Sequence, residues 1–228
     1  MSNEEQVKVL NSGLSPFGAR VLIGLEEKGV KYEYQEENLG NKSQLLLEMN
    51  PIHKKIPVLI HNGKPVIESV IILQYIDEAW SSSDASFLPS KPYDRAIARF
   101  WADFLDKKFY EAGARLLMSK GEAQEEAKRD VIENLGIMEG ALKEVSGGKP
   151  YFGGETFGLI DIAFIPFTAW FLTYETLGNF KISLDEKFPR LGAWAKKCME
   201  RKSVSKILPQ PEKLLSFGLE LRKKFVTD

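Results

Sequence analysis

Residues 56–69 read IPVLIHNGKPVIES, and this stretch limits the fold more than any other. Two apolar runs, PVLI and PVI, flank His61-Asn62-Gly63-Lys64. Asn-Gly supplies the two positive-φ positions of a type I′ turn, so the stretch predicts a β-hairpin. Pro57 opens the first strand, a place where sheets accept proline. Two antiparallel strands this short need further strands beside them. Upstream, QVKVL (6–10) alternates as a short strand. Pro16 suits the first position of a helix, because its missing N–H would be unpaired there anyway. Phe17, Val21, Leu22 and Leu25 then fall on one helical face, and Gly29 closes the helix. VKYEYQEE (30–37) predicts a second strand. KSQLLLEMN (42–50) predicts a short helix stopped at Asn50-Pro51. Ser69 is read as the cap of a helix over VIILQYIDEAW. The order is β-α-β-α-β-β-α within about 80 residues.

Beyond that the texture changes. SSSDASFLPSKP (81–92) is polar and carries two prolines, the mark of a linker. Helical periodicity then dominates, with helices expected near 93–118, 122–145, 159–177, 189–200 and 211–225. The division is a first domain at 1–81, a linker at 82–92 and an all-α domain at 93–228. A chain of 228 residues with net charge −1 has no basic excess to hold nucleic acid. No run of about 18 apolar residues is available to span a membrane. The start MSNEEQVKVL is acidic and lacks the basic and apolar regions of a secretory signal. Cys198 is the one cysteine, which fits a reducing, cytoplasmic setting. With His53 and His61 the only histidines, no usual zinc site can be assembled, and no metal is expected.

The candidate functional residues have two readings each. Ser15 stands in NSGLSPFGARV (11–21), where a strand gives way to a helix. Its oxygen suits an N-cap, accepting from a backbone N–H of the helix. A hydroxyl also carries one donor and a second acceptor lone pair, so a cap can still donate to a partner. Glu68-Ser69 marks another helix start. Lys42, Lys54 and Lys55 read as surface lysines. Phe17, Leu39, Tyr110, Leu117, Trp170, Phe171, Phe217 and Leu221 read as core packing, and Cys198 as a bystander thiol on an amphipathic helix.

The strings SPFGARV (15–21), NPIHKKIPVLIHNGKPVIES (50–69), QYIDEAW (74–80), YFGGETFGLIDIA (151–163) and the proline, tryptophan and phenylalanine at 166–171 sharpen this. Together with the domain order they resemble the tau class of cytosolic glutathione transferases over nearly the whole chain. The resemblance implies an α/β thioredoxin-like first domain, with a mixed four-stranded sheet, that binds glutathione as co-substrate. It implies an all-α helical-bundle second domain supplying most of an electrophile pocket, no tightly bound cofactor, and a homodimer. It places Ser15 at the glutathione thiol, donating to a thiolate rather than attacking substrate. Ser69 would hold the γ-glutamyl carboxylate and Glu68 its amine. Ile56, before a cis Pro57, would pair strand-like with the cysteinyl unit. Lys42 and Lys55 would neutralise the glycyl carboxylate, with Lys54 left at the surface. The pocket would draw on Phe17, Leu39, Tyr110, Leu117, Trp170, Phe171, Phe217 and Leu221, with the last helix as a cover.

The sequence departs from the class at three places. Gly13-Leu14 stand where Trp-Pro is common, which widens the expected pocket. Ala114 replaces a basic residue of the fourth helix. Gly158 replaces the Ser or Thr that caps the core helix, although Asp161 can still accept from backbone N–H groups. Two rivals stay open. One is a carrier of apolar ligands with low transferase activity. The other is a thiol transferase, which would need cysteine at Ser15. Peroxidase activity is compatible with the same thiolate.

Overall fold

The computed structural model describes residues 5–81 and 85–226. The chain divides into two compact units between Leu88 and Pro89. The first four residues of the acidic start, and Ser82, Ser83 and Asp84 of the expected linker, lie outside the described residues.

The first unit runs β1 (Val7–Asn11), α1 (Pro16–Glu27), β2 (Glu33–Glu36), α2 (Gln44–Met49), β3 (Val58–His61), β4 (Lys64–Ile67) and α3 (Ser69–Ala79). The sheet order is β2-β1-β3-β4, with β1 parallel to β2 and antiparallel to β3. The hairpin forms as its turn chemistry demands, with φ of 50° at Asn62 and 78° at Gly63. β2 is shorter than the sequence suggested, because β1 offers partners only from Lys8 to Asn11. α2 starts at Gln44 because Ser43 caps it, its Oγ accepting from Leu46 N at 3.0 Å. On one side of the sheet Leu10, Leu46, Val58 and Ile60 cluster, with Leu45 and Met49 of α2 packed on them. α1 and α3 pack together, burying Val21, Ile23, Leu25, Ile72, Leu73 and Ile76 completely. Each such side chain contributes about 1.5–3 kcal/mol relative to an exposed one.

Residues 85–88, read as linker, are held in the first unit by a buried ion pair. Lys28 Nζ lies 2.8 Å from Asp77 Oδ1, and only 1% of the lysine side chain is exposed. The same ammonium donates to Ala85 O and sits 4.8 Å from the Phe87 ring centre. Asp77 in turn accepts from Phe87 N and Leu88 N at 2.9 and 3.1 Å.

The second unit is helical: α4 (Pro92–Phe104), α5 (Glu111–Met118), α6 (Glu122–Ser146), α7 (Leu159–Thr168), α8 (Phe171–Gly178), α9 (Leu184–Lys187), α10 (Pro189–Met199), α11 (Lys202–Ser205) and α12 (Pro211–Phe225). A π-helical segment at Leu105–Tyr110 joins α4 to α5, so the helix expected at 93–118 is continuous but wider in its middle. The single helix expected at 159–177 is two. Pro166 lacks the N–H for its turn, and α7 ends two residues later. α9 and α11 have four residues each, too few to show a period in sequence. α7 is buried from Leu159 to Phe167 and is the centre of this unit, with Phe109, Phe152 and Trp194 edge-on or stacked against Phe164. Asp161 secures its start. The carboxylate accepts from Gly158 N (2.9 Å), Phe152 N (3.0 Å) and Trp194 Nε1 (2.7 Å). Glycine thus leaves half of the capping box intact. Burial pushes the Asp161 carboxyl up to about 6, against the pull of these hydrogen bonds.

Asp77→Ala leaves the Lys28 ammonium buried without its carboxylate and frees two backbone N–H groups. Urea unfolding should show a loss of about 3–5 kcal/mol. A loss under 1 kcal/mol would mean that the pair does not anchor this segment.

Candidate active site

The strand register brings four loops to one end of the sheet. Val58 lies opposite both Leu10 and Ile67, and Asn11 lies opposite Glu36. The segments after β1, after β2, before β3 and after β4 therefore open at that end. They carry Ser15, Lys42, Lys55, Ile56, Pro57, Glu68 and Ser69.

Ser15 is the N-cap of α1, in extended conformation, with Pro16 behind it as the first helical residue. Its Oγ accepts from Gly18 N at 3.1 Å. Ser15 N donates to Ser12 O at 2.9 Å, and Gly13 N donates to the Glu36 carboxylate at 3.1–3.2 Å, which pins the turn. Ser15 is half-buried, and among the described residues no acceptor takes its hydroxyl proton. Gly18 is required beside it. A Cβ there would lie 1.6 Å from Oδ1 of the buried Asn11 side chain.

Ser69 is not a cap, contrary to the sequence reading. It is the first residue of α3, with Glu68 before it. Its buried Oγ instead accepts from Arg20 Nη1 at 3.0 Å, which joins α1 to the start of α3. The Arg20 guanidinium also lies over the Phe17 ring, 5.0 Å from its centre. Glu68 has φ of 68°, an uncommon conformation for a side-chain-bearing residue, and its carboxylate lies 3.8 Å from His53 Nε2.

The Ile56–Pro57 peptide bond is cis, as the resemblance implied. The loop before it is organised by the buried Asn50, whose Nδ2 donates to Lys55 O at 2.9 Å and whose Oδ1 accepts from His53 N at 3.1 Å. Lys42 and Lys55 are exposed and make no ion pair among the described residues. Among the predicted residues, this end of the sheet offers a donor hydroxyl, two exposed cations and the Glu68 carboxylate beside two helix starts, groups that suit a small zwitterion with extra negative charge.

The remaining predicted residues divide between the units. In the first, Phe17 is half-buried and Leu39 is 48% exposed. In the second, Leu117 and Trp170 are buried, while Tyr110 and Phe217 each keep 38% of their surface exposed. Trp170 meets Phe217 edge-on at 6.2 Å, and Phe171 lies 6.3 Å from Phe109. Tyr110 lies 6.2 Å from Phe167. Leu221 is half-buried on α12. Burial and then the Asp106 carboxylate push the Tyr110 phenol above its ordinary value.

Comparison with known proteins identifies the family. Residues 5–78 match the family described as glutathione S-transferase, N-terminal domain, and residues 85–202 match glutathione S-transferase, C-terminal domain. The chain belongs to the glutathione S-transferase family. It is 57% identical over 228 residues to glutathione S-transferase U19 of Arabidopsis thaliana, covering all of both chains. A tau-class glutathione S-transferase from mango (Mangifera indica) is 47% identical, with a TM-score of 0.90 over 95% of this chain and 98% of that one. Rice GST1 in complex with glutathione is 46% identical, with a TM-score of 0.91 over 99% of this chain and 100% of that one. The tau class is therefore the one to which this transferase belongs.

Several residues that shape the site went unnoticed in the sequence. Arg20 was detectable as one charge inside the apolar run ARVLIGL of α1. Asn50 was read only as a helix stop. Asn11 and Glu37 carry no sequence signal of their burial, and Glu37 is held by the nearby Gln35 and Ser43.

Gly18→Ala forces the Asn11 carboxamide aside at the start of α1. Overpacking of this kind costs about 1–3 kcal/mol, which thermal unfolding should register. An unchanged unfolding midpoint would mean that the α1 start is looser than the geometry requires.

Proposed function

We propose that this transferase activates the thiol of bound glutathione and delivers the thiolate to an electrophilic carbon of an apolar compound. The observation that carries the reading is Ser15 at the start of α1. One lone pair of its Oγ is taken by Gly18 N–H, and its proton is left to a further acceptor. A free thiol near pKa 8.5 is only about 3% ionised at pH 7. Lowering it by about 2 units gives roughly 75% thiolate and needs about 2.7 kcal/mol. A hydrogen bond to the charged sulfur supplies about 1.5–3 kcal/mol. The positive end of α1 adds about 0.3–1 kcal/mol. These suffice without a histidine base.

In this reading Ser69 and its backbone N–H hold the γ-glutamyl carboxylate, and Glu68 faces the amine. The Ile56 backbone pairs with the cysteinyl unit, and Lys42 and Lys55 neutralise the glycyl carboxylate. The shared end of the sheet supports that division of roles. In the second unit, the exposed faces of Tyr110 and Phe217 are the apolar surface we assign to the electrophile. The enzyme contributes thiol activation and proximity rather than a covalent intermediate. A disulfide-exchange reading lacks its sulfur, since the one cysteine, Cys198, is buried in α10. The reading extends to a cytoplasmic homodimer. Each unit has exposed apolar residues available to a second copy, Ile71 in the first and Tyr93 and Phe100 in the second.

Ser15→Ala should lower kcat for conjugation about a hundredfold, the usual cost of removing one donor to a developing or standing anion. Glutathione affinity should stay within a few-fold, and loss of the cap should cost only about 1 kcal/mol of stability. Steady-state kinetics beside an unfolding curve separates the two effects. Unchanged turnover would remove Ser15 from the mechanism.

A further inference from the structure

We infer that Glu37 is a positioning residue for glutathione binding, holding the segment that presents Lys42 to the glycyl carboxylate. The inference rests on the proposed division of roles above. Glu37 is 3% exposed, and acids are seldom this buried unless their oxygens are satisfied. Its Oε1 accepts from Ser43 Oγ at 2.7 Å and from Gln35 Nε2 at 2.9 Å. Its Oε2 accepts from Ser43 N at 3.2 Å. Three donors converge, and only a carboxylate can accept from all of them while presenting no hydrogen of its own. The Glu37 backbone N–H donates to Asn11 O at 2.7 Å, at the end of β1.

The result is a closed loop. Glu37 at its entrance grips Ser43 at its exit, and between them Asn38 O and Oδ1 accept from Asn41 N and Gly40 N at 2.9 Å each. Ser43 also starts α2 through Leu46 N. Lys42 directly precedes the gripped residue, so its backbone is set from both sides while its side chain reaches into solvent. The grip runs from the β1 end, which leads to Ser15, to the cation that would meet the opposite end of glutathione. Loosening it should therefore affect one end of the ligand and not the thiol.

The test compares two thiols in the full-length enzyme. Glutathione has the glycyl carboxylate, and γ-glutamylcysteine lacks the glycine altogether. Glu37→Gln keeps the volume but turns one acceptor into a donor, and Ser43→Ala removes the hydroxyl from the same link. In each variant KM for glutathione should rise about fivefold, the worth of one ordinary hydrogen bond. KM for γ-glutamylcysteine should not change, and kcat should stay within about twofold. Equal rises for both thiols, a fall in kcat at constant KM, or no change would overturn the inference while leaving the Lys42 and Lys55 assignment intact. A wild-type enzyme with the same KM for both thiols would overturn that assignment and this inference together. If Glu37→Gln does not fold, Ser43→Ala carries the test. Failure of both to fold would mean a purely structural role and also overturns it.

Discussion

A single hydrogen bond, from Gly18 N–H to Ser15 Oγ, does two things at once. It fixes where α1 begins, and it uses the serine as an acceptor so that the proton remains for something else. A serine that donated to its own backbone could not serve a sulfur. The cap and the chemistry are thus not competing explanations of one residue. The surrounding packing protects this arrangement. Asn11 fills the space a Cβ at position 18 would take, and Arg20 links α1 to Ser69 at the start of α3.

The rest of the first unit serves mainly to collect loops. A mixed sheet in the order β2-β1-β3-β4 brings the ends of β1, β2 and β4 and the start of β3 to one side. Functional groups distant in sequence become neighbours because of register, without any of them lying on a strand. Three of the four loops have a buried fastener. Asn50 fastens the approach to β3, Glu37 the exit from β2, and Ser69 with Arg20 the start of α3. These fasteners are neutral or singly charged groups whose hydrogen bonds fix side-chain directions.

Much of this was legible in the sequence, and the reasons differ by element. The hairpin followed from Asn62-Gly63, since few residues tolerate two positive φ values in a row. The helix start at Pro16 followed from the steric fit of proline at the first helical position. Ser15 was legible as a cap, and the role proposed for it at the thiol came from resemblance alone. What stayed hidden depends on contacts between distant segments. The π-helical turn at Leu105–Tyr110 has no local signature, and Pro166 splits a helix whose apolar pattern runs straight through. Ser69 was misread because a serine at a helix start usually caps it. Here the side chain turns to Arg20, forty-nine residues upstream. Lys28 and Asp77 are 49 residues apart, and only packing brings them together as a buried pair.

The most direct test is a pH titration of the thiolate absorbance of glutathione bound to the intact enzyme. The account predicts a midpoint about 2 units below the ordinary value near 8.5, and its return toward 8.5 when serine 15 is replaced by alanine. A bound thiol that titrates near 8.5 in the unaltered enzyme would contradict it.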